Sequence, residues 1–169
     1  MANNGVLQGQ PLWNEIAHLR ETDEACLAPG FRAAIDVGLI RCNAAGIAVK
    51  IEETCRCQQL QDIYFSQGTT HAQSALRAWH LYGLGADLVH PDRGWDLYPG
   101  GSAYNAEWHN GLVKAMKAGG LLSYGGDWIN FKDYPHWQWG KCKPTPSDEA
   151  VRLYMAAGKQ AVWAAVGAL

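Results

Sequence analysis

Apolar residues recur at helical spacing in the first part of the chain. This spacing predicts a first helix over residues 11 to about 26 and a second over residues 31–45. Gly46 follows the second stretch at the position where a glycine often ends a helix. Residues 58–66 also have helical character.

Four short segments are predicted to be strands, and in the first of them apolar residues alternate with small or charged ones. Residues 47–54 have the pattern of a half-buried strand, which places Arg56 at a strand end. Further short strands are predicted over residues 84–89, 121–124 and 136–139. Strands with interspersed helices predict an α+β fold with a small, mainly antiparallel sheet and flanking helices.

Turn-forming residues separate these elements. Residues 90–101 are rich in Gly, Pro and Asp, which predicts a loop. We expect Ser102 to be the N-cap of a helix that reaches Ala118. Ser147 is the expected N-cap of a last helix, which runs through residues 147–169.

The last helix is unusually apolar, and two interpretations are open. Its apolar face packs on the domain or on a second copy, or it lies on a membrane surface. Its polar face carries only Arg152, Lys159 and Gln160, whereas helices at a membrane interface are usually richer in cations. This composition favours packing over membrane contact.

The length and net charge of the chain limit the number of domains and the kinds of partner to be expected. A chain of 169 residues fits one domain, with a core over about residues 27–143 followed by the helix over 147–169. The formal net charge is −2 and there is no basic run, so a nucleic-acid partner is not expected. No apolar stretch approaches the length of a membrane span, and the N-terminus lacks the basic and apolar regions of a signal peptide.

The cysteines form an odd set of five with no spacing typical of a disulfide framework. We therefore expect reduced thiols in a reducing compartment. Cys55 and Cys57 are too close in sequence for a usual zinc-binding pair, and on a strand they would pack on one face.

Two segments combine residues that bind metals. His80, Asp87 and His136 supply two imidazoles and one carboxylate, which fill three corners of a zinc tetrahedron and leave the fourth for water. Asp133 lies three residues before the last histidine and is placed to act as the base on that water. Arg56 is the candidate cation for stabilising a carbonyl oxygen, although a surface salt bridge is its plainer interpretation.

Local sequence supports this grouping. Gly83 and Gly85 allow the chain to fold back closely, so that the strand bearing Asp87 approaches His80. The fixed φ angle of Pro135 holds the base beside the third ligand. The remaining histidines have no second metal ligand nearby in the sequence and are expected to be structural: His18, His71, His90 and His109. Of these, His109 is expected on the exterior of a helix.

Several motifs together resemble the M15 family of zinc D-peptidases, and within it the phage-endolysin L-alanyl-D-glutamate peptidases. They are His80-x-x-Gly83 running to Asp87, the sequence Gly-Gly-Asp-Trp at residues 125–128, and Asp133-x-Pro135-His136. The match extends upstream through residues 53–56 to Gln61, Tyr64 and residues 67–68.

The resemblance implies a fold of the hedgehog and D,D-peptidase type and specific residue roles. In the family, the residues matching His80, Asp87 and His136 bind zinc and the one matching Asp133 is the catalytic base. The one matching Arg56 contacts the scissile carbonyl or a substrate carboxylate. By the same resemblance, Gln61 is a candidate for substrate binding.

The sequence also departs from the family pattern. Ala78 and Cys57 stand where the family commonly has serine, and Gly85 stands where it has alanine, so the departures concern substrate contacts more than zinc binding. The dipeptidase branch typically has glutamate where this chain has Asp133, which favours the endolysin branch.

The resemblance implies cleavage between L-Ala and D-Glu in the stem peptide of bacterial peptidoglycan. A phage lysin that accumulates in the host cytoplasm and then acts on the cell wall fits the lack of a signal peptide, as does a bacterial recycling enzyme. Two alternatives are a D,D-carboxypeptidase or D-Ala-D-Ala dipeptidase of the same fold, and a non-catalytic zinc-containing module that binds wall peptide.

Overall fold

A four-stranded antiparallel sheet forms the centre of the fold. The computed structural model describes residues 19–169. Its strands are β1 (Lys50–Glu53), β2 (Gly85–Val89), β3 (Leu122–Tyr124) and β4 (His136–Trp139), in the spatial order β1-β2-β4-β3. Every neighbouring pair is antiparallel.

Four α-helices surround this sheet within the described residues. They are α1 (Pro29–Ala44), α2 (Gln58–Ser66), α3 (Ala106–Lys117) and α4 (Asp148–Val166). The helices α1 and α3 pack on each other and on β3. The main core lies between them and the sheet, where Phe31, Ile35, Leu112 and Trp137 are fully or almost fully buried. The predicted α+β class is confirmed.

The register of the central strands aligns three ionisable residues. Asp87 of β2 pairs with His136 of β4 on one side and with Glu53 of β1 on the other. Residues paired across antiparallel strands point to the same face of a sheet. The three side chains therefore form a row across the sheet, with Asp87 in the middle.

The predicted strands and most predicted helices are confirmed to within a few residues. The helix over 58–66 agrees with α2 at both ends. The cap of α3 was wrong: its N-cap is Asn105, whose side chain accepts a hydrogen bond from the amide of Trp108 at 3.0 Å. Ser102 lies in the turns before it, because the chain first forms a 3₁₀ turn at Trp95–Leu97 and reverses direction.

The first predicted helix falls largely outside the described residues. Its remaining part is wrong, because residues 20–23 are not helical and only a 3₁₀ turn, Glu24–Cys26, follows. Asp23 caps that turn by accepting a hydrogen bond from the amide of Ala25 at 2.8 Å.

The last helix is divided at Gly158, whose φ of 76° is not helical. Ser147 caps its first half as predicted, accepting from the amide of Ala150 at 3.2 Å. The second half packs on the domain through Trp163, which is buried and donates to the carbonyl of Tyr82 at 2.6 Å. Among the described helices, none is long and apolar enough to cross a membrane.

A disulfide joins Cys26 to Cys55, which contradicts the expectation of reduced cysteines. The bond forms because the segment before α1 runs beside the end of β1, where the amide of Thr54 donates to the carbonyl of Glu21 at 2.7 Å. A separation of 29 residues in sequence carries no signal of this pairing. Cys57 is free and exposed, and it lies beyond the strand as the N-cap residue of α2, so the expected shared strand face is also wrong.

Removing the disulfide is expected to lower the free energy of unfolding by about 2–4 kcal/mol, because the cross-link restricts the unfolded chain. Urea unfolding of the Cys26→Ala/Cys55→Ala double variant measures the loss. Cys57→Ser is the matched control and should shift stability by no more than about 0.5 kcal/mol. Equal unfolding midpoints for the wild type with and without a dithiol reductant would contradict the assignment.

Candidate metal centre

Three side chains converge on one point at the sheet. The distances between their ligand atoms are 3.1 Å from His80 Nε2 to His136 Nδ1, 3.2 Å from His136 Nδ1 to Asp87 Oδ1, and 3.4 Å from His80 Nε2 to Asp87 Oδ1. Atoms at the corners of a tetrahedron, each about 2.0–2.1 Å from a central zinc, are about 3.3 Å apart. The triangle therefore matches the spacing that a small divalent cation requires.

The outer nitrogen of each histidine ring fixes which nitrogen carries the proton. His80 Nδ1 lies 2.7 Å from the carbonyl oxygen of Thr54, which only accepts, so Nδ1 donates and Nε2 presents a lone pair. His136 Nε2 lies 3.3 Å from Oε1 of Gln138, so its Nδ1 likewise presents a lone pair.

Three acceptors therefore face one another in a buried position. His80, Asp87 and His136 are 2%, 8% and 5% exposed, so they are shielded from bulk solvent. Lone pairs and a carboxylate at this spacing repel unless a proton or a metal cation lies between them. The donor set thus fits a metal ion that prefers nitrogen and oxygen ligands.

Two glycines make the approach possible. A Cβ on Gly85 would lie 2.9 Å from Cε1 of His136 and 3.2 Å from the amide nitrogen of His80. Gly83 has a φ of 65°, and a Cβ there would lie 2.4 Å from the carbonyl oxygen of Cys26. The sequence-based expectation that these two glycines permit close approach is confirmed.

Arg56 lies on the other side of Asp87. Its Nη2 donates to Asp87 Oδ2 at 3.3 Å, its Nη1 donates to Gln61 Oε1 at 3.1 Å, and its Nε pairs with Glu53. Its guanidinium carbon is 4.8 Å from the centre of the Tyr64 ring. With 8% of its surface exposed, Arg56 is not a surface salt bridge.

These neighbours set the charge states. Burial by itself would raise the pKa of Asp87, but His80 and His136 outweigh it and hold that pKa well below its usual range. Burial would lower the pKa of Arg56, but the charges of Glu53 and Asp87 outweigh that effect and raise it. Both groups are therefore ionised at neutral pH.

Asp133 stands apart from this network. Its carboxylate accepts no hydrogen bond from any residue within 19–169, and it lines the same groove as His80 and His136. Burial, and then the charge of Asp87, raises its pKa to about 6. Its backbone is held by Gly125, whose carbonyl accepts from the Asp133 amide at 3.2 Å and where a Cβ would lie 2.4 Å from the Asp133 carbonyl oxygen.

The site opens into a groove of about 800 Å³. One wall is the loop after β3, where the ring of Trp128 lies 5.3 Å from the ring of His136 and Ile129 is 94% exposed. His71, expected to be structural, lines the groove and contacts Phe131 with ring centres 4.0 Å apart. Sequence reasoning missed this aromatic wall because its residues carry no ligand spacing.

The two other described histidines, His90 and His109, do not line the groove. His109 is buried, not on a helix exterior, and its Nε2 lies 2.6 Å from the hydroxyl of Tyr124. His90 accepts from the amides of Asp92 and Arg93 and so holds a turn, which agrees with a structural role. His18 lies outside the described residues.

Gln61 is fully buried behind Arg56. Its Nε2 donates to the carbonyl of Ala72 at 2.6 Å, so both ends of its amide are used within the protein. Ala72 itself lines the groove.

Two histidines and an aspartate around one point, with an unpaired carboxylate beside them in a groove, are typical of hydrolases that activate water on one metal ion. A family model described as D-alanyl-D-alanine carboxypeptidase, of the M15 peptidases, matches residues 71–140. That segment contains all three candidate ligands and Asp133.

Two named proteins are similar to the chain. The peptidoglycan L-alanyl-D-glutamate endopeptidase CwlK of Bacillus subtilis is 33% identical over 102 residues, which are 54% of this chain and 60% of that protein. The crystal structure of the Serratia marcescens L-Ala D-Glu endopeptidase ChiX aligns with a TM-score of 0.53 at 20% identity, over 73% of this chain and 87% of that one. The chain thus spans about three fifths of the length of CwlK.

Residues 71–140 are similar to the M15 family of peptidases, and the resemblance seen in the motifs is confirmed. The likeness to ChiX supports the fold, and the metal roles of the four residues stay predictions.

The pKa of Asp133 is raised and that of Asp87 is lowered, so replacing each by asparagine should change the stability of the metal-free protein in opposite directions near pH 7.5. Asp133 has a raised pKa in the fold, so its ionised form opposes folding above that pKa, and Asp133→Asn should stabilise by on the order of 1 kcal/mol. Asp87 has a lowered pKa, so its ionised form favours folding, and Asp87→Asn should destabilise.

Thermal unfolding in the presence of a chelator measures both shifts. The exposed Asp92→Asn is the matched control and should leave the melting temperature unchanged. A lower melting temperature for Asp133→Asn than for Asp87→Asn would contradict the assignment of the two environments.

Proposed function

We propose that the chain is a zinc-dependent peptidoglycan endopeptidase that hydrolyses the L-Ala–D-Glu bond of the stem peptide. The observation that carries the proposal is the buried triangle of His80, Asp87 and His136 beside the carboxylate of Asp133, which has no hydrogen-bond partner within residues 19–169. The bond specificity is supported by the likeness to CwlK, a peptidoglycan L-alanyl-D-glutamate endopeptidase.

Zinc is the metal we propose, because two imidazoles and one carboxylate at tetrahedral spacing are typical of its catalytic sites. When bound, the ion would lower the pKa of its water and polarise the substrate carbonyl. His80, Asp87 and His136 would hold it, and the hydrogen bonds from the two outer ring nitrogens would keep the rings oriented.

Asp133 is the proposed general base. No protein donor among residues 19–169 competes for its carboxylate, and a pKa of about 6 leaves it mostly ionised at neutral pH yet basic enough to take a proton. The same group can then deliver that proton to the leaving amine. Its place in the groove, beside both ligand histidines, supports this role.

Arg56 is proposed to orient Asp87 and to place a fixed positive charge at the groove, where a carbonyl oxygen gains negative charge during attack. For Gln61 we propose an indirect part in substrate binding. It holds Arg56 with its Oε1 and the groove-lining Ala72 with its Nε2.

A D,D-carboxypeptidase is the second candidate, favoured by the description of the matching family model. A non-catalytic module that binds wall peptide is the third, and the unpaired Asp133 argues against it because a binding module gains nothing from a carboxylate of raised pKa.

We propose lysis of a bacterial wall by a phage endolysin, present in the host cytoplasm beforehand, as the setting. It rests on the motif resemblance, whereas both named relatives are bacterial.

Mass spectrometry of fragments released from purified peptidoglycan tests the proposal. We expect new L-Ala carboxyl ends, and we expect their release to stop when a zinc chelator is added and to resume with zinc. Release of D-Ala instead would favour the carboxypeptidase. Stoichiometric zinc and peptide binding without any fragments would favour the binding module.

The rate should fall with decreasing pH as Asp133 becomes protonated, because only its ionised form accepts a proton. The midpoint of this acid limb should lie at or below about pH 6, since a bound cation lowers the pKa further. The measurement is kcat/KM against pH, with zinc content determined at each point to separate loss of the metal.

Asp133→Asn should lose about 10²–10⁴-fold in kcat with its zinc content intact, and Asp92→Asn should keep the wild-type rate. An acid limb centred well above pH 7, or full activity in Asp133→Asn, would contradict the role of Asp133.

A further inference from the structure

Gln138 is fully buried in β4, two residues after the candidate ligand His136. Its side chain lies on the same face of the strand as His136, since side chains alternate along a strand. Its Oε1 is 3.3 Å from His136 Nε2, the ring nitrogen that points away from the candidate metal. No carboxylate takes this position, so a neutral amide is the only partner of that nitrogen among the described residues.

The orientation of the Gln138 amide is determined by its other end. Its Nε2 donates to the carbonyls of Cys142 at 3.1 Å and Lys143 at 2.8 Å. Two carbonyl acceptors require the amide nitrogen there, so Oε1 must face His136 and must accept from it. His136 therefore carries its proton on Nε2 and offers Nδ1 to the metal.

The carbonyl of Lys143 connects the two ligand histidines. It accepts from Gln138 Nε2 and also from the indole nitrogen of Trp79 at 2.7 Å, and Trp79 directly precedes His80. The residues that follow Lys143, Pro144 and Thr145, line the groove. One backbone carbonyl thus accepts from the side chain that contacts His136 and from the residue that precedes His80, and it lies directly before the groove wall in the sequence.

We propose that Gln138 is a positioning residue that fixes the tautomer and rotation of His136 for metal binding through Nδ1 and connects that ring to residues 142–143, directly before the groove-lining Pro144 and Thr145. The inference rests on the proposed metal centre. Outer partners of metal-bound histidines typically contribute 10- to 100-fold in metal affinity.

Zinc affinity, measured by competition with a chromophoric chelator, tests this directly and needs no substrate. Gln138→Met keeps the size of the side chain but removes its acceptor, and we expect it to weaken zinc binding by about 10- to 100-fold. Gln138→Glu restores an acceptor for His136 Nε2 while losing the donors to the loop, so its affinity should exceed that of Gln138→Met.

Trp79→Phe is the matched control, since it removes the other hydrogen bond to the Lys143 carbonyl without touching His136. A fall in zinc affinity equal to that of Gln138→Met would assign the effect to the loop and overturn the proposal. Wild-type affinity in a folded Gln138→Met would also overturn it and leave the metal centre standing. A wild-type protein that binds no zinc would overturn the proposed function as well.

A second measurement needs no variant. Two-bond proton–nitrogen correlation spectra of the zinc-loaded wild type report which nitrogen of each histidine carries a proton. We expect the Nε2–H tautomer for His136 and the Nδ1–H tautomer for His80. The Nδ1–H tautomer for His136 would overturn the proposal even if the Gln138 variants fail to fold.

Discussion

The mutual repulsion of three acceptors is the constraint on which the site depends. His80 Nε2, Asp87 Oδ1 and His136 Nδ1 lie 3.1–3.4 Å apart, and all three offer lone pairs to one point when both imidazoles are neutral, given the partners of their outer ring nitrogens. Such a triangle is unfavourable in a buried place until a positive charge occupies its centre. Strand register, the two glycines and the outer hydrogen bonds all serve to hold it.

Asp87 connects this triangle to a second cluster, since its Oδ1 faces the histidines and its Oδ2 faces Arg56. The carboxylates of Glu53, Asp87 and Asp133 outnumber the single guanidinium of Arg56 by two negative charges at neutral pH. A divalent cation supplies the charge that balances them. Burial, and then the charge of Asp87, raises the pKa of Asp133, which forms no ion pair with a cation among residues 19–169.

Helices, strands and candidate ligands that depend on short stretches of sequence could be predicted from the sequence. Short segments with helical or strand character were sufficient to predict α2 and the strands that carry Asp87 and His136, and the ligand types indicated a common site. The cap of α3 was misplaced because Ser102 and Asn105 have similar cap propensity, and only the path of the preceding turn selects Asn105.

The remaining features depend on tertiary placement. Which nitrogen of each imidazole faces inward follows from Thr54 and Gln138, whose roles arise only once β1, β2 and β4 are in register. The burial of His109 follows from the packing of α3 on the sheet. The pairing of Cys26 with Cys55 follows from a contact between segments that no periodicity joins.

That disulfide lies at a sensitive position in the chain. Cys55 stands between Thr54, whose carbonyl orients His80, and Arg56, which contacts Asp87, so the cross-link braces both supports at once. Cys42, Cys57 and Cys142 are free thiols, for which a biochemist would ordinarily add a thiol reductant during purification. In this protein such a reagent would cleave the brace and compete for the metal as well, so a preparation handled in the usual protective way is the one whose site is most disturbed.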